Sequence, residues 1–271
     1  SAQHKNVELK EKNNSNLLII TDDVNDDDLK KRKYSNIIGV SGESQNNKSD
    51  SYNPKITFYS YISNKNNNVW FPCILRHVNE SSLKKVINKD FKEINKRKNF
   101  LVYANSNCIL KRDNFFKLIQ KYSNNNGRAI GYCMNTHDGP KRDSWVKNGQ
   151  QFENYKFVMA LENTSKKGYI TEKIWNAYVA GAIPIYWGCS YSASLFFNKD
   201  TYIDINDFKN DEECAKYVVE LSKNPKKLKE IQSKNIFKDG KIPDMFNWRN
   251  PNSKYHKDVV NFIKKNGVLD N

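Results

Sequence analysis

The chain has 271 residues, of which 38% are hydrophobic and 13% aromatic, enough apolar side chain for one large domain or two compact ones and too much for wholesale disorder. Lys and Arg number 45 against 30 Asp and Glu, a formal net charge of +15, yet the lysines are scattered and no segment carries an RRM, KH, zinc-finger or helix-turn-helix pattern, so nucleic acid is not an expected partner. A basic surface also suits an enzyme whose substrate carries phosphates.

Leu17-Leu18-Ile19-Ile20 and Ile37-Ile38-Gly39-Val40 are short apolar runs bounded by turn formers, as buried parallel strands are. The acidic stretch 22–28 between them reads as a solvated connection, and its likeness to a D-x-D metal motif is superficial. A third strand is predicted over 56–61, and Val69-Trp70-Phe71 leads into Pro72. Residues 81–98, with Leu83, Val86, Ile87, Phe91 and Ile94 at helical spacing, link the two halves. A second series follows: a strand at 100–103, a helix over 112–122, a strand at 157–161, a helix over 171–181 stopped by Gly181, and a strand at 182–187. Helices over 214–222 and 225–231 complete it. Strands alternating with helices predict an α/β fold with parallel sheets. Two such series predict two Rossmann-like domains, residues 1–90 and 91–271, facing a cleft.

Cys73, Cys108, Cys133, Cys189 and Cys214 are odd in number and lack a C-x-x-C pair, which points to reduced thiols rather than a zinc site. His4, His77, His137 and His256 share no ligand-like spacing. Asp138-Gly139-Pro140 and Asn126-Gly127 read as turns. Trp145, Phe152, Tyr155 and Phe157 read as core, and the N-x-S/T triplets at Asn79 and Asn163 as chance. No apolar run approaches the roughly 20 residues of a membrane helix, so no span is expected in this chain. Location stays open between the cytoplasm and a membrane periphery, or the Golgi lumen had an upstream anchor been removed.

The densest chemistry is Leu161-Glu162-Asn163-Thr164-Ser165-Lys166-Lys167-Gly168-Tyr169-Ile170-Thr171-Glu172-Lys173, between a predicted strand and a predicted helix. Open α/β sheets bind ligands there, beyond the carboxyl ends of their strands. Gly168 permits a tight turn, and Thr171 is placed to cap the helix. The helix start offers free N–H groups and a positive dipole end to a diphosphate. Lys173 adds a mobile cation, and the two oxygens of Glu172 suit a pair of ribose hydroxyls. The competing reading is an ordinary capped, charged first turn.

From Tyr155 through Glu162-Asn163, Gly168-Tyr169-Ile170-Thr171-Glu172-Lys173-Ile174 and Ile183-Pro184-Ile185-Tyr186-Trp187-Gly188 to Asp204-Ile205-Asn206-Asp207-Phe208, the sequence resembles the α-1,3/4-fucosyltransferase family, and its bacterial members most. Leu161 stands where Phe is usual. The resemblance implies a GT-B fold, donor domain 91–271 and a shortened acceptor domain 1–90, with inverting, metal-independent transfer of fucose from GDP-fucose to a glycan or glycoconjugate and no cofactor. It implies that Tyr169, Glu172 and Lys173, with Asn163 and Thr171 of the same motif, hold the donor. Arg112 matches an arginine that contacts the donor diphosphate, against the alternative of a surface arginine near a helix start. Ser41-Gly42-Glu43-Ser44 resembles the Gly-Glu element of the acceptor domain, which makes Glu43 the candidate base against an ordinary exposed loop glutamate. A GT-B enzyme using another nucleotide sugar, or a silent glycan- or nucleic-acid-binding relative, are the competing functions.

Overall fold

The structure, a computed structural model, describes residues 17–21, 34–43, 48–134, 136 and 151–268. The acidic stretch 22–28, Trp145, His4, His137 and the Asp138-Gly139-Pro140 turn lie outside the described residues. Strands β1 (Leu17–Thr21), β2 (Asn36–Ser41), β3 (Ile56–Tyr59) and β4 (Asn68–Trp70) form a first sheet in that order, parallel throughout. The register sets Val40 opposite Phe58 and Ser41 opposite Tyr59, so the chain leaves β2 toward Glu43 at the carboxyl end of this sheet.

Helix α1 (Glu80–Ile87) follows, with Asn79 as its N-cap: its side chain accepts from Ser82 N, and Ser82 Oγ accepts from Asn79 N. This reciprocal pair satisfies two donors that a helix start otherwise leaves unmade. Beyond it Arg97, 3% exposed, donates to the carbonyls of Lys92, Tyr155 and Ala180. Burial lowers its pKa to about 10, and the guanidinium ties the link to both neighbouring elements.

The second sheet comprises β5 (Asn99–Tyr103), β6 (Gly127–Ala129), β7 (Tyr155–Leu161), β8 (Ile183–Trp187) and β9 (Ile203–Asp204), all parallel, in the order β6-β5-β7-β8-β9. Numbered within this half the order is 2-1-3-4-5, which reverses direction between β5 and β7. Strand β7 is buried along nearly its whole length, as a central parallel strand must be. Its Phe157, Met159 and Leu161 pack with Phe115, Phe116 and Ile119 of α2 (Leu110–Ser123). The opposite face carries Val158 and Ala160 toward α3 (Glu172–Val179). Helix α3 ends as its sequence predicts: Gly181, at φ +66°, donates to Tyr178 O, and a Cβ there would press into the Phe91 ring. Phe152, Tyr155 and Phe157 are core residues, as expected.

Helices α4 (Ser190–Ser194), α5 (Asp211–Ser222) and α6 (Pro225–Ser233) complete the second half, and α7 (Lys254–Lys265) crosses back. Val259, Phe262 and Ile263 of α7, with Val268, cover Ile38, Ile56 and Val69 of the first sheet. The chain therefore contributes to the first core from both ends. Among the described residues no helix is long and apolar enough to cross a membrane.

The cysteine reading is corrected. Cys108 and Cys133 form a disulfide, Cα atoms 5.2 Å apart, leaving Cys73, Cys189 and Cys214 as thiols. The pair is 25 residues apart in sequence, but β5 and β6 are neighbours, so the segments following them meet. Closing a loop of that length stabilises the fold by about 3.5 kcal/mol in the chain-entropy account. The inference of a reducing compartment loses its basis.

Candidate functional site

The direction reversal between β5 and β7 marks where a sheet of this order opens a crevice beyond its strand ends. Three segments converge there: the residues after β7, the loop 163–170, and the first turn of α3. Glu162 directly follows β7, its N–H donating to Trp187 O at 2.7 Å, and it is fully buried. A carboxylate at the end of an apolar strand is rarely buried without partners, and Glu162 has three. Its Oε1 accepts from Thr171 N at 2.8 Å; its Oε2 accepts from Thr171 Oγ1 at 2.7 Å and lies 3.5 Å from Lys173 Nζ.

Thr171 is the N-cap of α3, with extended backbone, but its side chain makes no cap bond. Its hydroxyl is instead spent on Glu162 and accepts from Lys173 Nζ at 3.0 Å. The expected side-chain cap is thus absent, and the helix start keeps its free N–H groups. Nor is Lys173 a mobile cation. Its side chain is 16% exposed and its ammonium is fixed by Glu162, Thr171 and Glu172, the last at 3.5 Å. Burial opposes that charge, but the carboxylates of Glu162 and Glu172 outweigh it and raise the Lys173 pKa. The ammonium stays charged.

Arg112, on α2, is completely buried, which excludes the surface reading. One guanidinium nitrogen donates to Asn107 O at 3.2 Å and the other to Asn163 Oδ1, while among the described residues its Nε–H has no partner. Burial lowers its pKa, and Glu162 pulls the other way. Tyr169 is 3% exposed; burial first, then the charge of Glu162, with Glu43 among the further contributors, raises its pKa. Its phenol remains a donor. Glu43 itself is exposed, its carbonyl accepting from Ser60 Oγ at 2.8 Å, and a Cβ on Gly42 would touch the Arg76 guanidinium at 2.9 Å. The structure thus gathers Asn163, Tyr169, Thr171, Glu172, Lys173 and Arg112 in one place, with Glu43 on the facing half.

The loop 163–170 is also the seam between the halves. Ile62 N donates to Lys167 O at 2.9 Å, Trp70 Nε1 to Gly168 O at 3.0 Å, and Ile74 N to Ile170 O at 3.1 Å. Lys166 sits over the Tyr61 ring. Gly168 has φ +86°, and a Cβ there would stand 2.5 Å from Ile62 N. Gly168→Ala is therefore expected to destabilise the chain by at least about 1–3 kcal/mol. A urea midpoint equal to that of the parent would contradict this.

The segments around Gly188 and Asp204 are tied to each other by side-chain bonds. Asp204 is 1% exposed, accepts from Asn206 N at 3.0 Å and holds Lys199 Nζ at 3.0 Å, while Asn206 Nδ2 donates to Gly188 O at 3.1 Å. A broad depression of about 730 Å³ near Asn79, Lys84 and Lys85 lies apart from all these groups. Its two lysines are already paired, Lys84 with Glu80 and Lys85 with Glu153.

Spacing in the sequence missed two features. One is Glu162 as the anchor of the cluster, for which the signal was an acid ending an apolar strand. The other is His77, whose Nε2 lies 3.9 Å from Glu172 Oε2 with Cys73 close by.

The model of glycosyltransferase family 10 (fucosyltransferase), C-terminal region, matches residues 94–235. The α-(1,3)-fucosyltransferase FucT of Helicobacter pylori is 46% identical over 74 residues, 27% of this chain and 15% of that protein. The GDP-fucose protein O-fucosyltransferase 3 of Xenopus tropicalis is 26% identical over 190 residues, 65% of this chain and 40% of that protein. The chain thus spans well under half the length of either relative. A crystal structure of an α1,3-fucosyltransferase with GDP-fucose has the same fold, with a TM-score of 0.66 at 20% identity over 95% of this chain and 79% of that one. The paired parallel sheets are the GT-B architecture. Since the matched segment contains the second sheet, both sides of the crevice and every residue of the Glu162–Lys173 cluster, the chain belongs to glycosyltransferase family 10, the fucosyltransferases.

Proposed function

We propose that this chain transfers L-fucose from GDP-fucose to a sugar hydroxyl of a glycan or glycoconjugate, in an α-1,3-type linkage and with inversion at the anomeric carbon. The observation that carries the reading is the fixed ammonium of Lys173, 3.0 Å from Thr171 Oγ1 at a helix start that, beyond the Thr171 N–H held by Glu162, receives no cap from the Thr171 side chain. That is a preformed seat for a diphosphate. Residues 1–90 form the acceptor side and 91–271 the donor side, with α7 returning to the former.

As the bond from the fucose C1 to the β-phosphate oxygen breaks, negative charge grows on the departing GDP. Lys173 and the first N–H groups of α3 meet it, and Arg112 adds its charge from beneath Asn163. No cofactor is needed for this division of labour. Glu172 accepts from the ribose hydroxyls, and Tyr169 donates to the nucleotide. Glu43 takes the acceptor hydroxyl's proton while the acceptor oxygen forms its bond to C1 on the opposite face.

Calorimetric titration with GDP, UDP and dTDP tests the donor. GDP is expected to bind at least about ten-fold more tightly than the others, a difference of about 1.4 kcal/mol. Tighter UDP or dTDP binding would reassign the donor, and no binding by any of the three would sink the seat itself.

A further inference from the structure

The turn Cys73–Arg76 carries two metal-type ligands, Cys73 at its start and His77 just after it, and sets both against Glu172 of α3. The Cys73 sulfur, a His77 ring nitrogen and a Glu172 carboxylate oxygen all lie within 4.8 Å of one another. The turn is held from several sides. Ile74, Leu75 and Val78 are fully buried; Ile74 N donates to Ile170 O at 3.1 Å, and Leu75 O accepts from Trp248 Nε1 at 2.9 Å. The ligand positions on the two halves are therefore fixed relative to each other by backbone that cannot easily shift.

A thiolate, an imidazole and a single carboxylate oxygen form the donor set of a zinc-class cation, not of magnesium or calcium, which take mostly oxygen. Zinc bonds of about 2.0–2.3 Å put tetrahedral ligand atoms roughly 3.3–3.8 Å apart. Atoms within 4.8 Å of one another need draw together by no more than about 1–1.5 Å to reach that spacing. Three protein ligands would leave the fourth position of a tetrahedral cation to water.

We propose that Cys73, His77 and Glu172 bind a zinc-class divalent cation, and that the bound cation closes the donor seat. On binding, the Cys73 S–H proton leaves to solvent as the metal–sulfur bond forms, with no change of oxidation state. The Glu172 carboxylate is drawn to the metal and withdrawn from the nucleotide, so cation and GDP compete. This competition rests on the role given to Glu172 above; the binding does not. Lys173, 3.5 Å from Glu172, and the neighbouring Arg76 oppose a second positive charge. That makes the site a reversible brake on the seat and not a structural centre.

Cadmium titration of the whole chain, followed by the ultraviolet thiolate-to-cadmium charge-transfer band, tests the site without reference to donor or activity. One equivalent per chain is expected. The band should vanish in Cys73→Ser, although Cys189 and Cys214 remain, and His77→Ala should weaken binding by more than about ten-fold, the least that losing even an outer-shell partner costs. A missing band, or one that persists in Cys73→Ser, overturns the proposal. Zinc should also raise the apparent Kd for GDP in the parent chain and not in Cys73→Ser. Cadmium binding without that effect overturns the closure, while a chain that never binds GDP fails as a donor site with the cadmium result still decisive for the metal.

Discussion

Replacing Lys173 by alanine is expected to weaken GDP binding by at least about 30-fold. Removing one partner of a buried, hydrogen-bonded charge pair costs about 2–5 kcal/mol, and the Lys173 ammonium is the cation held at the start of α3. The substitution has a second consequence, because Glu162 and Glu172 share that ammonium at 3.5 Å each. Without it, buried carboxylate charge is left uncompensated, which destabilises a fold by about 3–5 kcal/mol. Lys173→Ala combined with Glu162→Gln separates the two effects. The double variant should recover much of the lost thermal stability and none of the GDP affinity. Calorimetry on the folded double variant decides; an affinity equal to that of the parent would remove Lys173 from the donor site.

Glu43→Gln should act in the opposite way. The side chain is exposed on the loop after β2, so stability and GDP affinity should stay close to the parent values. Turnover should fall by about 10²–10⁴-fold, the usual contribution of a general base, since a carboxamide cannot take the acceptor proton. The measurement is transfer of labelled fucose to a glycan acceptor at saturating donor. Full turnover in Glu43→Gln would assign the base elsewhere; lost GDP affinity would show that Glu43 serves the donor.

Much of this architecture was readable from local pattern. The strands β2, β5, β7 and β8 are apolar runs, and the helices α2, α3, α5 and α6 follow 3.6-residue periodicity or a Pro and Gly boundary. The cluster from Glu162 to Lys173 was legible because its members lie in one run of thirteen residues, whereas Arg112 joins it only through the fold. What escaped depends on contacts between distant segments. Strand β6 is three residues, Gly127–Ala129, beginning at what reads as an Asn-Gly turn. Helix α7 carries Val259, Phe262 and Ile263 at helical spacing, but that this face covers the first sheet depends on a contact with the other half of the chain. Cys108 and Cys133 pair because their strands are adjacent, and Cys73, His77 and Glu172 meet because Ile74 is tied to Ile170. The Glu162 carboxylate was visible as a residue, but its role as the common partner of Thr171 and Lys173 arises only when the loop 163–170 folds back.

The decisive measurement is the structure of crystals soaked with GDP in the presence of EDTA. The account predicts density for the diphosphate within hydrogen-bond distance of Lys173 Nζ and the first N–H groups of α3, with the ribose against Glu172. Diphosphate density elsewhere, or none until a divalent cation is supplied, would contradict it.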